Sequence, residues 1–394
     1  MLRFQAFLLV LQSRNVNWLR HNLSLTKFGT AFGIVPAGHK TPLVTEPALV
    51  PCRPQSRPFH TIKKHPAPGV SFYGAESRNH TKKFKSLLEK NRFIDKILCY
   101  EDYKDLLFKT VRRIYDGKSN LAGIEKLLKF SFANKLKSEH YDFVINLHHK
   151  MDAKMFAVLC CAKQVIVPPI NFAEDGLLYN RNLHRIFDYL EVVSLLDESF
   201  DALNFTSTDI DFGWYFSEEE LHNTNKILRQ QGCNNNDYIV LVLGTTWQSK
   251  NWPVENWIEL TKLLVQSNKK IVFVGDEKDK KALNAITQNV KSDLIVDCIG
   301  KTSLREMVMI LAQAAIVIGG DTGPMHIESS LGVKTITLMN PTYPVKFAPF
   351  GNKGIVLTAN YPCKNCHFTK CPKGICCMKY IEPARVFENI KSLL

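Results

Sequence analysis

Residues 316–351, IVIGGDTGPMHIESSLGVKTITLMNPTYPVKFAPFG, contain the pattern that decides the fold of this chain. The apolar, β-branched run at 316–318 predicts a buried parallel strand. Two glycines followed by Asp321-Thr322-Gly323 end this run, and residues that favour helices begin at Met325. The sequence therefore predicts a strand, a tight glycine turn and the N-terminus of a helix.

The start of this helix is a candidate anion site. The first backbone N–H groups of a helix have no partner within it, and the helix dipole is positive there. Glycines in the turn let a phosphate approach the backbone closely. We therefore expect Asp321, Thr322 and His326 to stand around a bound phosphate.

Upstream and downstream of this stretch, apolar strand patterns alternate with helical patterns. Strands are predicted at 239–243, 270–274, 294–298 and 335–339, with helices between them. This alternation predicts an α/β, doubly wound parallel sheet whose loops gather at the carboxyl ends of the strands. The loops are 244–253, 275–279, 299–303, 319–326 and 340–347.

Two blocks carry a resemblance to a known family. The D-T-G-P-M-H motif at 321–326, followed by a helix, a strand and N-P-T, resembles glycosyltransferase family 9, the ADP-heptose:lipopolysaccharide heptosyltransferases. Residues 244–253, GTTWQSKNWP, resemble the loop of that family that holds the nucleotide diphosphate. The resemblance is clear from about residue 141 to 394 and poor before about residue 69.

The resemblance implies a GT-B architecture, in which two Rossmann-like domains face a cleft. It implies inverting, metal-independent transfer of a heptose or a related sugar from an ADP-sugar to the inner core of lipopolysaccharide. No cofactor is then required for catalysis. Two alternatives stay open: an inactive nucleotide-sugar-binding protein of the same fold, and a sugar-nucleotide epimerase.

Breaking a bond between a sugar and a diphosphate places negative charge on the leaving group, which a catalyst must stabilise. Lys250 is the natural cation, and the candidate donors of hydrogen bonds are Thr245, Thr246, and the backbone near Thr322 and Gly323. The alternative for Lys250 is an exposed, solvated lysine.

Other candidate ligands of the donor lie at neighbouring strand ends. Asp321 is expected to accept hydrogen bonds from sugar hydroxyls, and His326 either donates to a phosphate or packs within its helix. Asp279 matches the ribose-contacting acid that the resemblance implies, whereas Asp276 and Glu277 suit a solvated helix start. Lys301 and Thr302 are expected beside the base.

A cysteine-rich loop spans residues 363–377. The spacing of Cys363, Cys366, Cys371 and Cys376 is compatible with a structural zinc site, and reduced, packed thiols are the alternative. The chain has 11 cysteines but no convincing signal peptide, because the apolar run at 7–11 is short and lacks a cleavage site. This favours a reducing cytoplasm over a disulfide framework.

The net charge of +14 predicts an anionic partner, or simply a basic surface. No nucleic-acid-binding motif is present in the sequence. The resemblance implies a phosphorylated lipopolysaccharide acceptor at the inner membrane face, reached by a cytoplasmic, peripherally associated protein. No apolar run approaches the ~20 residues of a membrane-spanning helix.

Four segments are predicted. Residues 1–67 are acid-poor and rich in proline, so we expect them to be poorly ordered or degenerate, with a transit peptide as an alternative. Residues 68–232 form an acceptor-side Rossmann-like domain, and residues 233–380 form the nucleotide-sugar domain. Residues 381–394 form a helix that crosses back to the first domain.

The N-terminal part departs from the family pattern. Family members carry a Gly-Asp turn whose aspartate is thought to be the catalytic base, but no aspartate precedes Asp95 here. The nearest echo places His39 at that position, with Glu46 nearby, so the base is one of these residues or a later carboxylate. His148 and His149, after a predicted strand at 141–147, are either acceptor contacts or plain loop residues.

Overall fold

The computed structural model describes residues 7–11, 70–74, 81–91, 96–99, 143–146, 164–166, 183–194, 206–207, 210, 212–234, 237–351, 353–363 and 365–394. His39, Glu46, His148 and His149 lie outside these residues, so the predicted base and the histidine pair stay predictions. Within the described residues, no helix is both long and apolar enough to cross a bilayer.

The described strands form two sheets. The first contains, in the order β3-β2-β1-β4-β5, the strands β1 (Phe7–Leu11), β2 (Val70–Gly74), β3 (Lys96–Cys99), β4 (Phe143–Asn146) and β5 (Gln164–Ile166). The second contains, in the order β11-β10-β9-β6-β7-β8, the strands β6 (Tyr238–Val242), β7 (Lys270–Val274), β8 (Ile295–Asp297), β9 (Ile316–Gly320), β10 (Thr335–Met339) and β11 (Gly354–Thr358).

Helices cover the sheets. They are α1 (Thr81–Leu88), α2 (Arg185–Ser194), α3 (Glu218–Gln230), α4 (Val254–Val265), α5 (Lys280–Asn289), α6 (Leu304–Ala312), α7 (Gly323–Ser330), α8 (Pro344–Phe347) and α9 (Pro383–Leu393). Three short 3-10 turns lie at Gln248–Lys250, Glu277–Asp279 and Cys377–Tyr380.

The second sheet is parallel throughout, as the sequence predicted. Side chains alternate across a strand, so its two faces enter different layers. Leu241 lies in the layer that contains Trp257 of α4, whereas Val240 lies in the layer that contains Met309 of α6. Because both faces are covered, every residue of β6 is buried, which explains its unbroken apolar run.

The strand order reverses between β6 and β9. The chain goes from β6 outward through β7 and β8, then returns to β9 on the other side of β6 and continues to β10 and β11. In open α/β sheets, ligands bind beyond the carboxyl ends of the strands at such a switch point. The loops that follow β6 and β9 contain Lys250 and Asp321.

The first sheet contains both parallel and antiparallel pairs of strands. Strand β1 pairs antiparallel with both β2 and β4, while β2 with β3 and β4 with β5 are parallel. β1 also lies within the segment predicted to be poorly ordered. Because β1 precedes the Rossmann-like domain predicted at 68–232, that prediction carried no information on the direction of this strand.

Helix α3, which lies before the predicted domain boundary at 232/233, packs on the second sheet. Its Leu228 joins the core layer that contains Val240. Arg305 of α6 fixes the contact, since its Nε donates to Glu220 Oε1 at 2.6 Å and its Nη2 donates to Tyr215 O at 2.7 Å. The hydrophobic core of the second sheet therefore includes residues that precede residue 233, the predicted start of the second domain.

Helix α9 was predicted to cross back to the first domain. In the structure its buried Val386 and Ile390 pack in the layer that contains Trp257 of α4. Ile381, just before α9, accepts a hydrogen bond from Trp252 Nε1 at 2.9 Å. The described partner of the helix is therefore the second domain, and a crossing to the first domain stays a prediction.

Candidate active site

Two buried side chains of opposite charge meet at the switch point. The Lys250 ammonium donates a hydrogen bond of 2.6 Å to Asp321 Oδ2, and each side chain is 1% exposed. Lys250 ends the 3-10 turn after β6, and Asp321 directly follows β9. The structure thus brings together the two residues that the sequence predicted at this edge of the sheet.

Gly320 allows the two loops to approach each other this closely. A β-carbon at this position would lie 2.8 Å from Thr245 Cγ2 and 3.3 Å from the backbone oxygen of Lys250. Such distances are too short for ordinary packing. The glycine that ends β9 is therefore required by contact with the neighbouring loop.

Two further side chains hold the Asp321 carboxylate. Thr342, after β10, donates from Oγ1 to Oδ2 at 2.7 Å, and His326 Nε2 lies 3.4 Å from Oδ1. Burial alone would raise the pKa of Asp321, but the hydrogen bond from His326 and the charge of Lys250 outweigh burial and hold the pKa well below its usual range. Asp321 is therefore ionised at neutral pH.

The Lys250 ammonium has hydrogen-bonding capacity to spare. It carries three N–H groups. Within the described residues, its contacts are the hydrogen bond to Asp321 and the face of Trp247, whose ring centroid is 4.2 Å from Nζ. A buried cation with donors left over is well suited to a second anion.

Thr245 and Asn251 hold the loop around Lys250. Thr245 donates from its backbone N–H to Asn251 Oδ1 at 3.1 Å, and its hydroxyl lies 2.8 Å from both that oxygen and Trp247 O. Thr245 thus braces the loop in this structure, and its direct contact with a ligand stays a prediction. Thr246 is exposed beside it.

The first turn of α7 lies next to this ion pair. Thr322 is the N-cap residue, with Gly323 and Pro324 at the first helical positions. His326, on the same turn, has a side chain that is 20% exposed while its ring nitrogen contacts Asp321. The partly open imidazole and the helix N-terminus therefore flank the buried pair, as the sequence predicted for an anion site.

Asp279 lies beyond the carboxyl ends of β6 and β7. Its Oδ2 accepts a hydrogen bond from Asp276 N at 3.0 Å. A β-carbon at Gly244 would lie 2.0 Å from Asp279 Oδ1, so the carboxylate occupies the space that this glycine leaves. Burial raises the pKa of Asp279, and the hydrogen bond from Asp276 opposes this effect. Contact with a ribose stays a prediction.

Lys301 and Thr302 follow β8. Lys301 Nζ forms an ion pair of 2.6 Å with Asp297 Oδ2, and both side chains are substantially exposed. Lys301 therefore pairs with the last residue of the strand that precedes it. No described contact assigns a ligand role to Thr302.

The four cysteines that the sequence predicted to bind zinc lie in the loop at 363–377. Among the described residues, no group of three or more His, Cys, Asp or Glu side chains is placed to hold a metal ion. The predicted set was Cys363, Cys366, Cys371 and Cys376, all of which are free thiols. Within the described residues their arrangement gives no support for a zinc site, which stays a prediction from their spacing.

The backbone of the cysteine-rich loop instead contacts both site loops. Ser249 N donates to Thr369 O at 3.1 Å, and His367 N donates to Pro341 O at 2.8 Å. Asn340 Nδ2 donates to Cys363 O at 2.8 Å. The loop therefore connects the segment that contains Lys250 with the segment that contains Thr342.

Sequence reasoning did not assign Thr342 or Trp247 to the site. Thr342 belongs to the N-P-T motif and Trp247 to the 244–253 block, so their motifs were the available signal. A second buried ion pair was also missed: Lys346 Nζ lies 2.7 Å from Asp188 Oδ1, and the two residues are 158 positions apart. No sequence pattern pointed to this pair.

The same contact region includes His184. Its Nε2 donates to Ala348 O at 2.7 Å, and its Nδ1 accepts from Ile186 N at 3.2 Å. Burial lowers the pKa of His184 to about 4, so the imidazole is neutral at pH 7. Helix α2 is thereby tied to the loop that follows Thr342.

Comparison with known proteins places this geometry in context. The model of glycosyltransferase family 9 (heptosyltransferase) matches residues 129–376. Lipopolysaccharide heptosyltransferase 1 of Pseudomonas aeruginosa is 27% identical over 155 residues, which is 39% of this chain and 41% of that protein. Lipooligosaccharide heptosyltransferase 2 of Campylobacter jejuni is 28% identical over 149 residues, 37% of this chain and 47% of that protein. The chain therefore spans less than half the length of these curated relatives.

Solved structures agree on the fold. A family 9 glycosyl transferase from Veillonella parvula has a TM-score of 0.60 at 18% identity, covering 79% of this chain and 86% of its own. The ADP-heptose lipopolysaccharide heptosyltransferase II of Escherichia coli has a TM-score of 0.57 at 17% identity, with the same coverage of both chains. These likenesses support the predicted GT-B fold.

Proposed function

Because this chain belongs to glycosyltransferase family 9, we propose that it transfers a heptose, or a related sugar, from an ADP-sugar to the inner core of lipopolysaccharide. One observation carries the proposal: the Lys250–Asp321 pair lies at the switch point of the second sheet, beside the N-terminus of α7. Relatives with heptosyltransferase names support the choice of sugar.

The reaction is a nucleophilic displacement at the anomeric carbon. An acceptor hydroxyl loses its proton to a base that stays unassigned, and its oxygen forms a bond to that carbon. The bond from the carbon to the diphosphate oxygen breaks, and its electron pair leaves with ADP. Attack from the face opposite the leaving group inverts the configuration.

Lys250 and α7 stabilise the departing diphosphate. The spare N–H groups of the ammonium and the backbone N–H groups at the helix N-terminus provide positive charge where negative charge develops. We propose that this charge makes a metal ion unnecessary for the transfer. His326 is placed to donate to a phosphate oxygen from the partly open side of the pair.

Asp321 keeps the cation in place before the donor arrives. A buried lysine without an anion would lose its proton or move to solvent. When the diphosphate binds, the ammonium is shared between it and Asp321, whose carboxylate we expect to accept a hydrogen bond from a sugar hydroxyl. The site is therefore preorganised, because the lysine and the carboxylate already hold each other at 2.6 Å.

The acceptor suggests a location at the cytoplasmic face of the inner membrane. The missing Gly-Asp turn favours a second candidate, a binding protein of the same fold that retains the donor site but lacks a base. The two candidates predict the same affinity for the donor and differ in turnover.

The test is to measure ADP release from ADP-heptose with and without a heptose-deficient lipopolysaccharide core. Release that depends on the acceptor supports transfer, whereas donor binding without release supports the inactive binder. Lys262→Ala is the matched control for Lys250→Ala, because Lys262 is exposed and pairs with Glu259 on its own helix. Acceptor-dependent release should survive in this control.

A further inference from the structure

The segment from 329 to 381 has an unusual charge. It contains seven lysines and neither aspartate nor glutamate. Lys346 pairs with Asp188, and Lys334 donates to a backbone oxygen. Much of the remaining positive charge lies on residues 365–380, which we name the basic lobe.

The lysines of the basic lobe face solvent. Lys370, Lys373 and Lys379 are exposed, and none of them forms an ion pair within the part of the chain that the structure describes. Lys379 Nζ lies 4.9 Å from the ring centroid of Tyr380. The lobe therefore presents three cations whose charge is not neutralised by any carboxylate among the described residues.

Exposed apolar side chains occur in the same region. The large hydrophobic residues that are exposed in the described part of the chain are Val345, Phe368, Tyr380 and Leu394. Phe368 is 53% exposed, and the ring of Tyr380 stacks on Tyr361 with centroids 4.5 Å apart. Two of the four belong to the lobe, and Val345 lies on α8, where Phe347 contacts His367 of the lobe.

The basic lobe also adjoins the candidate active site. Its Thr369 O accepts from Ser249 N, one residue before Lys250, and Ser249 Oγ donates to Phe368 O at 2.5 Å. The exposed aromatic ring and the lysines are thus anchored to the loop that holds the buried cation.

We propose that the basic lobe docks the protein on an anionic lipid bilayer, with Phe368 entering the interfacial region and Lys370, Lys373 and Lys379 facing acidic headgroups. Lysines near an anionic surface and aromatic side chains at the interface both favour such binding. A soluble phosphate would satisfy the lysines but offer nothing to Phe368, so the combination favours a membrane. The inference does not require the proposed sugar transfer, since docking is measured without donor or acceptor.

The test is co-sedimentation of the full chain with vesicles of phosphatidylcholine and phosphatidylglycerol at 3:1, compared with phosphatidylcholine alone, at low and high salt. We expect binding only to the anionic vesicles and loss of binding at high salt. Reversing all three charges (K370E, K373E and K379E) should lower the partition coefficient on the order of 100-fold. F368S should lower it by about tenfold without changing the salt dependence.

The matched control reverses three exposed lysines outside the lobe, in K226E, K281E and K291E. This control removes the same net charge and should retain most of the binding. Circular dichroism and melting curves establish that each variant is folded, and F368S remains informative should the triple variant unfold. Equal losses in the two triple variants, binding to neutral vesicles, or release by a single-stranded oligonucleotide at low salt would each overturn the proposal.

Discussion

Lys250 Nζ and Asp321 Oδ2 lie 2.6 Å apart although the two residues are separated by 71 positions, and neither side chain is more than 1% exposed. Such a pair gives little net stability, because both charges lose their hydration on burial. Removing one partner, however, leaves an uncompensated buried charge. The pair is thus expected to affect both the stability of the fold and the chemistry of the site.

Lys250→Ala should lower the rate of acceptor-dependent ADP release by about 100-fold or more, since it removes a group that stabilises the leaving diphosphate. It should also lower the free energy of unfolding by roughly 3–5 kcal/mol, because the buried, ionised Asp321 loses the cation that compensates its charge. Initial rates and urea denaturation measure the two effects.

The double variant Lys250→Met, Asp321→Asn separates stability from chemistry. Replacing both charges by neutral groups of similar size should restore most of the lost stability. Turnover should stay low, since no cation is present. Recovery of turnover in this double variant would show that Lys250 serves only to pair with Asp321.

Thr342→Val should destabilise the protein, because it removes the 2.7 Å hydrogen bond to the ionised, buried Asp321. Hydrogen bonds to charged groups contribute roughly 1.5–3 kcal/mol, and a loss of that size should appear in urea denaturation. Thr342→Ser keeps the hydroxyl and is the control. An unchanged unfolding free energy in Thr342→Val would contradict this role of the hydrogen bond.

The buried Glu328 of α7 should make the free energy of unfolding depend on pH. Its side chain is fully buried, and within the described residues neither carboxyl oxygen has a hydrogen-bond partner. Burial raises its pKa well above the usual 4.5. The folded state therefore binds a proton that the unfolded state releases above about pH 4.5, so this contribution to stability falls as pH rises.

Glu328→Gln removes this titration while keeping the shape of the side chain. Above the pKa of the unfolded state, the unfolding free energy of the variant minus that of the unchanged protein should increase by up to about 1.4 kcal/mol per pH unit. Urea denaturation at pH 5, 7 and 9 measures the difference. Parallel pH dependences for the two proteins would mean that Glu328 is not held neutral.

The second sheet could be predicted because its strands are buried on both faces and therefore form continuous apolar runs. A strand predicted at 239–243 is found at Tyr238–Val242, and its successors lie within a few residues of their predicted positions. The glycine turn and the helix start after β9 could also be predicted, because the local sequence determines them.

Pairings between distant loops could not be predicted from sequence. Thr342 and Lys250 meet at Asp321 only because the strand order places β6, β9 and β10 side by side. The sequence likewise predicted helix α9 but did not show that its buried Val386 and Ile390 pack on α4. Cysteine spacing, in the same way, did not fix where the thiols lie in space.

Titration calorimetry with ADP and AMP tests most directly the central claim that Lys250 and the N-terminus of α7 hold a diphosphate. ADP should bind at least about tenfold more tightly than AMP, because only ADP offers the second phosphate to the buried cation. This ratio should fall towards one in the Lys250→Met, Asp321→Asn variant. Equal affinities for ADP and AMP in the unchanged protein, or a ratio that survives in the variant, would contradict the claim.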